Sequence, residues 1–322
     1  MTHVFVSPHP DDAALSCGGL IARLRDGGEP VTILTVYSGA GSLDRLTPYQ
    51  RLALGFGSRE KWQPSDDAGL SDAGLTDAAT LADARASAPG APNLADAAPA
   101  NAGEGPGAAP TPEQVMAVRR AEDESFVRFV GASVVFLNLP DAVFRGYEGD
   151  IELLGEPRPD DPPPIEGLRA ALAGLAPDAL YVPFAIGGHV DHRGARRAAM
   201  ALLAEPGSRY LDRALFYEDF PYALKTGFER PEQLDPEILP SLPAGVALTP
   251  EYVEITDLLD RKLAGLRAYE SQLGRLFGGD NPMASDVREH ATRVGELGGI
   301  GPSERYWRVT TTRDRTKLVV IS

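Results

Sequence analysis

An apolar run, Val4-Phe5-Val6, stops at Ser7-Pro8-His9-Pro10-Asp11-Asp12, and an Ala/Leu-rich stretch follows to about Gly27. These pieces read as strand, turn and helix. Glu29-Pro30 ends the helix, and Pro30 to Tyr37 supplies a second strand. Strand, helix, strand at this spacing predicts a βαβ unit and commits the chain to an α/β fold with a parallel sheet. The turn sets one imidazole and two adjacent carboxylates outside the carboxyl end of a strand, where open α/β sheets bind ligands.

The pattern recurs along the chain. Thr111-Pro112-Glu113 opens a helix to about Val130, with a capping Thr and Pro at the first position, and Gly131 closes it. A third strand is expected over Ala132 to Leu139, ending in Pro140-Asp141. A proline-rich loop, Pro157 to Pro164, precedes a helix over Ile165 to Leu175 and a fourth strand over Ala179 to Phe184. Gly187-Gly188-His189-Val190-Asp191-His192 then leads into an alanine-rich helix to about Ala204, and Arg213 to Glu218 is a fifth strand. Phe220 to Pro250 reads as irregular, and Asp257 to Phe277 as one long amphipathic helix. Arg305 to Thr312 and Lys317 to Ile321 read as a closing β-hairpin around Arg313-Asp314. Residues 1–322 are expected to form a single domain, with one insertion. From Ser65 to Pro112, Ala, Asp, Gly, Pro and Ser dominate, too little apolar surface to offset the entropy of ordering. That predicts disorder; a mobile active-site lid is the functional alternative.

Composition narrows the function classes. Lys plus Arg number 31 against 46 Asp plus Glu, a formal charge of −15 with no basic run, which argues against nucleic acid and anionic membranes as partners. No apolar run reaches transmembrane length, and a strand begins almost at once, so no signal peptide is expected. Cys17 is the only cysteine and reads as a small buried side chain. These features point to a cytoplasmic protein.

Of five histidines, three fall in the two strand–helix junctions. With both strands near the middle of the sheet, His9, Asp12 and His192 converge on one point. Two imidazoles and a carboxylate with an open position form a catalytic zinc arrangement, which acidifies bound water and polarises a carbonyl. Asp11 is then placed to take a proton from that water. His189 is placed to stabilise the oxyanion or protonate the leaving amine, with Asp191 holding its ring in a useful tautomer. The plain alternative is that Asp11, Asp12 and Asp191 are helix caps. His3 and His290 read as solvated bystanders, and Gly18-Gly19 as a site of close helix packing. Tyr217 to Tyr222, at the same sheet edge, would suit a sugar or a cationic amine, or form a plain turn.

Pro8-His9-Pro10-Asp11-Asp12 with Gly18-Gly19, and His189-Val190-Asp191-His192-Arg193, resemble the two signatures of the PIG-L/LmbE family of N-acetylglucosaminyl deacetylases. Arg119-Arg120-Ala121-Glu122 before Gly131 resembles the family's Arg-x-x-Glu helix, and Pro177-Asp178, Lys262 and Ser271-Gln272 also fit. The resemblance implies a Rossmann-like fold, a divalent metal (usually zinc, with iron suited to the same donors) and hydrolysis of an N-acyl group from an amino sugar or glycoconjugate. It implies His9, Asp12 and His192 as ligands, Asp11 as base, and His189 as acid or oxyanion partner supported by Asp191. Arg119 and Asp141 match positions that hold sugar hydroxyls in relatives; an ordinary surface pair of Arg119 with Glu122 is the alternative. Family members often assemble, so a homo-oligomer is in keeping. The chain departs from the pattern at Ala13, where the family often has Glu. Two other readings compete: a non-catalytic glycan- or metal-binding protein on the same scaffold, and, more weakly, a nucleotide-binding protein.

Overall fold

The structure is a computed structural model and describes residues 1–41, 45–54, 110–230 and 246–311. One sheet holds β1 (His3–Ser7), β2 (Val31–Thr35), β3 (Ser133–Phe136), β4 (Ala179–Pro183), β5 (Ala214–Tyr217), β6 (Val246–Glu254) and β7 (Ser303–Thr311). Their order is β3-β2-β1-β4-β5-β7-β6. β1 to β5 pair in parallel, while β7 runs antiparallel to both β5 and β6. The chain lays β2 and β3 on one side of β1, then returns to place β4 on the other. The reversal therefore lies between β1 and β4, paired from His3 opposite Ala179 to Phe5 opposite Tyr181. Both motifs leave the carboxyl ends of these central strands, so the expected crevice falls between them.

Every residue of β1 and β4 is buried, as parallel strands covered on both faces require. Alternation along β1 sends Phe5 into one apolar layer with Ile21, Ile33 and Phe126, and Val4 and Val6 into the other with Leu34, Leu180 and Phe216. The Pro112–Val130 helix has the expected ends: a reciprocal Thr111–Gln114 capping box, and Gly131 in the left-handed conformation with φ 79°.

Four local expectations change. The third strand is shorter than Ala132 to Leu139. The segment from Phe220 to Pro250 contains a Tyr222–Thr226 helix and the start of β6; 231–245 lie outside the described residues. The long amphipathic stretch is two helices, Leu259–Leu266 and Glu270–Leu276. At the break, Tyr269 Oη donates to Asp123 at 2.7 Å, and Ser271 N–H and Oγ donate to Glu122 at 2.8 and 2.7 Å. These bonds to two carboxyl groups outweigh continuation of the helical period. Finally, β7 pairs with β5 and β6, the latter about fifty residues upstream. The hairpin partner expected at Lys317 to Ile321 lies outside the described residues, as does most of the 65–112 insertion. Alternation shows that a strand has a buried face; it does not say which edge the strand joins.

His3 and His290 are not solvated. His3 is buried with Nδ1 3.1 Å from Tyr181 Oη, and His290 is half-buried beside Phe220, where burial pulls its pKa down to about 3. Cys17 is buried, and burial raises its thiol pKa well above the ordinary value, so it stays protonated. Gly19 does mark close packing: a Cβ there would stand 2.6 Å from Ile255 Cγ2. Beside it, Glu304 accepts the Gly19 and Leu20 N–H groups at 2.8 Å each and Lys262 Nζ at 2.7 Å, all buried. Lys262→Ala strands this carboxylate and is expected to cost about 3–5 kcal/mol of stability, measurable by urea denaturation. Among the described residues no helix is long and apolar enough to cross a membrane.

Candidate active site

Ser7 shapes the first junction. Its Oγ donates to His9 O at 2.7 Å and accepts the Ala13 N–H at 3.0 Å, tying the turn to the helix that follows. Asp11 sits at φ 115°, ψ −37°, a region that side-chain-bearing residues rarely adopt and that needs surrounding structure to maintain it. Its carboxylate makes no capping bond, so the plain reading of Asp11 fails. At the second junction, Gly187 and Gly188 take left-handed φ values of 86° and 77°. They deliver His189 as the cap of the Val190–Leu203 helix, its Nδ1 accepting the Asp191 N–H at 3.2 Å. The cap is therefore His189, not Asp191.

The junctions meet. Ring centroids are 4.9 Å apart for His9 and His189, 5.3 Å for His9 and His192, and 5.4 Å for His189 and His192. Asp12 Oδ2 lies 3.2 Å from His9 Nδ1 and 3.2 Å from His192 Nε2. Donors about 2.0–2.2 Å from a tetrahedral ion stand about 3.3–3.6 Å apart, close to the distance of Asp12 Oδ2 from each ring. Each imidazole has its far nitrogen engaged. His9 Nε2 is 2.8 Å from Asp191 Oδ2, and His192 Nδ1 is 2.6 Å from Asp219 Oδ1. Both far nitrogens are donors to carboxylates, which turns both near nitrogens toward Asp12.

Among the described residues, the groupings whose ligand atoms all lie within 4.8 Å of one another are His9 with His189 and His192, and His9 with Asp141 and Asp191; His9, Asp12 and His192 are instead linked through Asp12. Both contain a ligand atom that is already hydrogen-bonded, as Asp12 Oδ2 is by the His9 N–H at 2.8 Å. His189 Nδ1 accepts a backbone N–H, so a neutral ring carries its proton on Nε2 and presents a donor there. In the second group, His9 Nε2 and Asp191 Oδ2 already share a hydrogen bond. Asp191 is further held by the Ala142 N–H at 2.9 Å and Arg145 at 2.6 Å. This corrects the expectation for Asp191: its carboxylate orients His9, and it reaches His189 only through its backbone N–H.

The electrostatics favour positive charge at this point. Burial alone would depress His9, but the carboxylates of Asp141, Asp12 and Asp191 outweigh it and push its pKa up to about 9. His192 is likewise raised well above the usual value, against burial, by Asp12 and Asp219. Asp12, despite burial, is held well below the carboxylate range by His192 and His9. His189 behaves oppositely: burial and the neighbouring His9 charge keep it neutral. Asp11 is pushed up to about 7 by burial and by Asp12, opposed by Arg119 and His9.

Arg119 is buried rather than on the surface. It stands 3.6 Å from Asp11 Oδ2 and 3.3 Å from Asp141 Oδ2, and donates to Pro10 O at 3.3 Å. Glu122 is bound by Ser271, so the Arg119–Glu122 surface pair is absent. Arg119 Nε is a buried donor without a partner among the described residues. Arg119 and Asp141 line the same cleft as His9, Asp11, Asp12, His189 and His192, and Tyr222, Gln272 and Arg275 border it. Ala13 is fully buried in the apolar layer with Phe5 and Leu15 and does not line the cleft.

Asp219 and Arg145 are the residues that sequence reasoning missed as parts of the site. The signal for Asp219 was its place just past the fifth strand at the motif edge, but its target was not legible. Of its neighbours, Glu218 turns away to Arg305 Nε at 2.5 Å and Trp307 Nε1 at 2.9 Å, leaving Tyr222 at the cleft.

A mostly parallel sheet with imidazoles and carboxylates gathered at its switch point is a frame on which an enzyme site can be built. Residues 4–203 match the family described as PIG-L, GlcNAc-PI de-N-acetylase, and the chain belongs to that family of deacetylases. Among characterised relatives, the 2'-N-acetylparomamine deacetylase of Streptomyces fradiae is 28% identical over 305 residues, 90% of this chain and 78% of that one. The 2'-N-acetylparomamine deacetylase of Niallia circulans is 24% identical, covering 94% of this chain and 89% of its own. The crystal structure of an A40926 pseudoaglycone deacetylase shares the fold, with a TM-score of 0.62 at 22% identity, covering 97% and 98% of the two chains.

Proposed function

We propose that this chain hydrolyses the N-acetyl group of an amino sugar borne on a larger polar scaffold, using a divalent cation, zinc ahead of iron, held by His9, Asp12 and His192. The observation that carries this reading is the position of Asp12 Oδ2, 3.2 Å from one nitrogen of each imidazole, with a carboxylate behind each ring. A cation there supplies Lewis acidity, polarising the amide carbonyl and acidifying water. Asp11 takes the proton of the attacking water. His189 directs its Nε2–H at the developing oxyanion, and the proton that Asp11 took from the water passes to the departing amine. Arg119 and Asp141, which line the cleft, bind sugar hydroxyls.

The relatives support this substrate class, being deacetylases of 2'-N-acetylparomamine and of the A40926 pseudoaglycone. A related structure is the zinc-inhibited form of a teicoplanin deacetylase, which supports a zinc-responsive site. The chain's charge of −15 supports a small-molecule substrate over nucleic acid and is in keeping with a cytoplasmic enzyme. The test is acetate release from N-acetylparomamine, N-acetylglucosamine conjugates and an N-acetylated glycopeptide, before and after chelation and with zinc or iron restored. Release from at least one, lost on chelation and recovered with one metal, is expected. Release from none, or release indifferent to chelator, overturns the proposal. Asp219→Asn is expected to weaken cation affinity about 10–100-fold by freeing the His192 ring, as read by competition with a fluorescent chelator.

A further inference from the structure

The proline-rich loop from Pro157 to Pro164 sends one side chain inward. Asp161 accepts Arg145 Nε at 3.0 Å and Arg145 Nη2 at 2.8 Å, one on each carboxylate oxygen, and Tyr147 Oη at 2.9 Å. The same Arg145 Nη2 donates to Asp191 Oδ1 at 2.6 Å, and Nη1 donates to Pro140 O at 2.5 Å. The guanidinium also lies 4.7 Å from the centre of the Tyr37 ring and 5.8 Å from that of Tyr147. Arg145 does not line the cleft. It is fixed by a carboxylate, a carbonyl and two rings, and its inward contact is Asp191, which has no exposed surface. Two carboxylates face His9 Nε2: Asp191 Oδ2 at 2.8 Å and Asp141 Oδ2 at 3.7 Å. Asp191 Oδ2 also accepts the Ala142 N–H, whereas among the described residues Asp191 Oδ1 has Arg145 alone.

We infer that Arg145, anchored by Asp161, is a positioning residue that holds the Asp191 carboxylate against His9 Nε2 and so keeps His9 Nδ1 turned toward Asp12. This rests on the reading of His9 as a ligand. Without Arg145, Asp191 Oδ1 would be a buried acceptor with no donor, and rotating the carboxylate to relieve it would move Oδ2 off His9. A planar guanidinium meets two carboxylates in one fixed geometry, which an ammonium on a flexible stem cannot do. The proline-rich loop thereby acts on a site it does not line. Prolines at 157, 159, 162, 163 and 164 fix φ on both sides of Asp161, so little chain freedom is left to lose when the anchor forms.

Arg145→Gln is expected to weaken the full chain's zinc affinity about 10–100-fold, the size found when the group behind a ligating imidazole is lost, as read by competition with a fluorescent chelator. Arg145→Lys keeps the charge but loses the fork, and Asp161→Asn loosens the fork from the loop; both are expected to weaken affinity by less. In the cobalt-loaded protein, the visible absorption bands of Arg145→Gln are expected to shift, reporting a changed donor geometry that lower stability alone does not produce. A double-mutant cycle with Asp191→Asn tests the route. If Arg145 acts through Asp191, Arg145→Gln changes the zinc affinity of Asp191→Asn by less than about twofold. Wild-type zinc affinity in Arg145→Gln, unmoved cobalt bands or full additivity in the cycle overturns the inference. If Arg145→Gln does not fold, wild-type affinity in Asp161→Asn overturns it. A wild-type chain that holds no zinc, or a His9→Ala variant that holds it at full affinity, overturns the ligand reading and this inference together. A wild-type chain that binds zinc through His9 beside an Arg145→Gln variant of equal affinity removes the role of Arg145 alone.

Discussion

Asp11→Asn is expected to lower kcat by about 10²–10⁴-fold while the protein binds its cation with normal stoichiometry. The two effects separate because Asp11 and Asp12, although adjacent, face different partners. Asp12 Oδ2 sits between the two imidazoles, whereas Asp11 looks toward Arg119, 3.6 Å away. Asparagine fills the same space, so Arg119, Asp141 and the cleft wall keep their places, but it cannot accept the proton of water at neutral pH. Stopped-time acetate assays with metal analysis on the same sample give both numbers. Turnover within a few-fold of wild type would remove Asp11 as the base. Loss of metal together with activity would show instead that Asp11 supports the cation.

Asp12→Ala is expected to abolish cation binding at micromolar concentrations and with it activity, by on the order of 10³-fold or more, the several kcal/mol that Lewis-acid stabilisation supplies. In the proposed donor set its carboxylate is the anionic member, and it is the contact that joins His9 to His192. Removing it leaves two rings still drawn outward by Asp191 and Asp219, with nothing between them. Alanine at the start of the Asp12–Asp26 helix does not disturb the helix itself, so the fold should persist by circular dichroism. A variant that keeps one tightly bound metal per chain would favour the grouping of His9 with His189 and His192 and would displace Asp12 as ligand.

The sequence by itself determined the parallel β–α alternation, the two strand–helix junctions and the residues on them. Those signals are local: a β-branched run, a proline turn, a capping Thr and a terminating Gly are each governed by neighbours a few residues away. His9, Asp11, Asp12, His189 and His192 were legible because each junction is short and ends a central strand. Only the tertiary structure decided the rest. Asp191 was expected at His189 but serves His9, because its contact crosses from one junction to the other and depends on how the Val190–Leu203 helix seats against the first turn. Asp219 serves His192 from a third strand end, Arg119 turns inward to Asp11 and Asp141, and Glu122 leaves it for Ser271. The amphipathic period that promised one long helix was overridden at Tyr269 by a buried carboxylate 146 residues earlier. Local propensity is encoded within a turn or two of chain; which buried charge meets which donor is set by the three-dimensional balance of burial and pairing, and that balance involves residues the chain brings together only when folded.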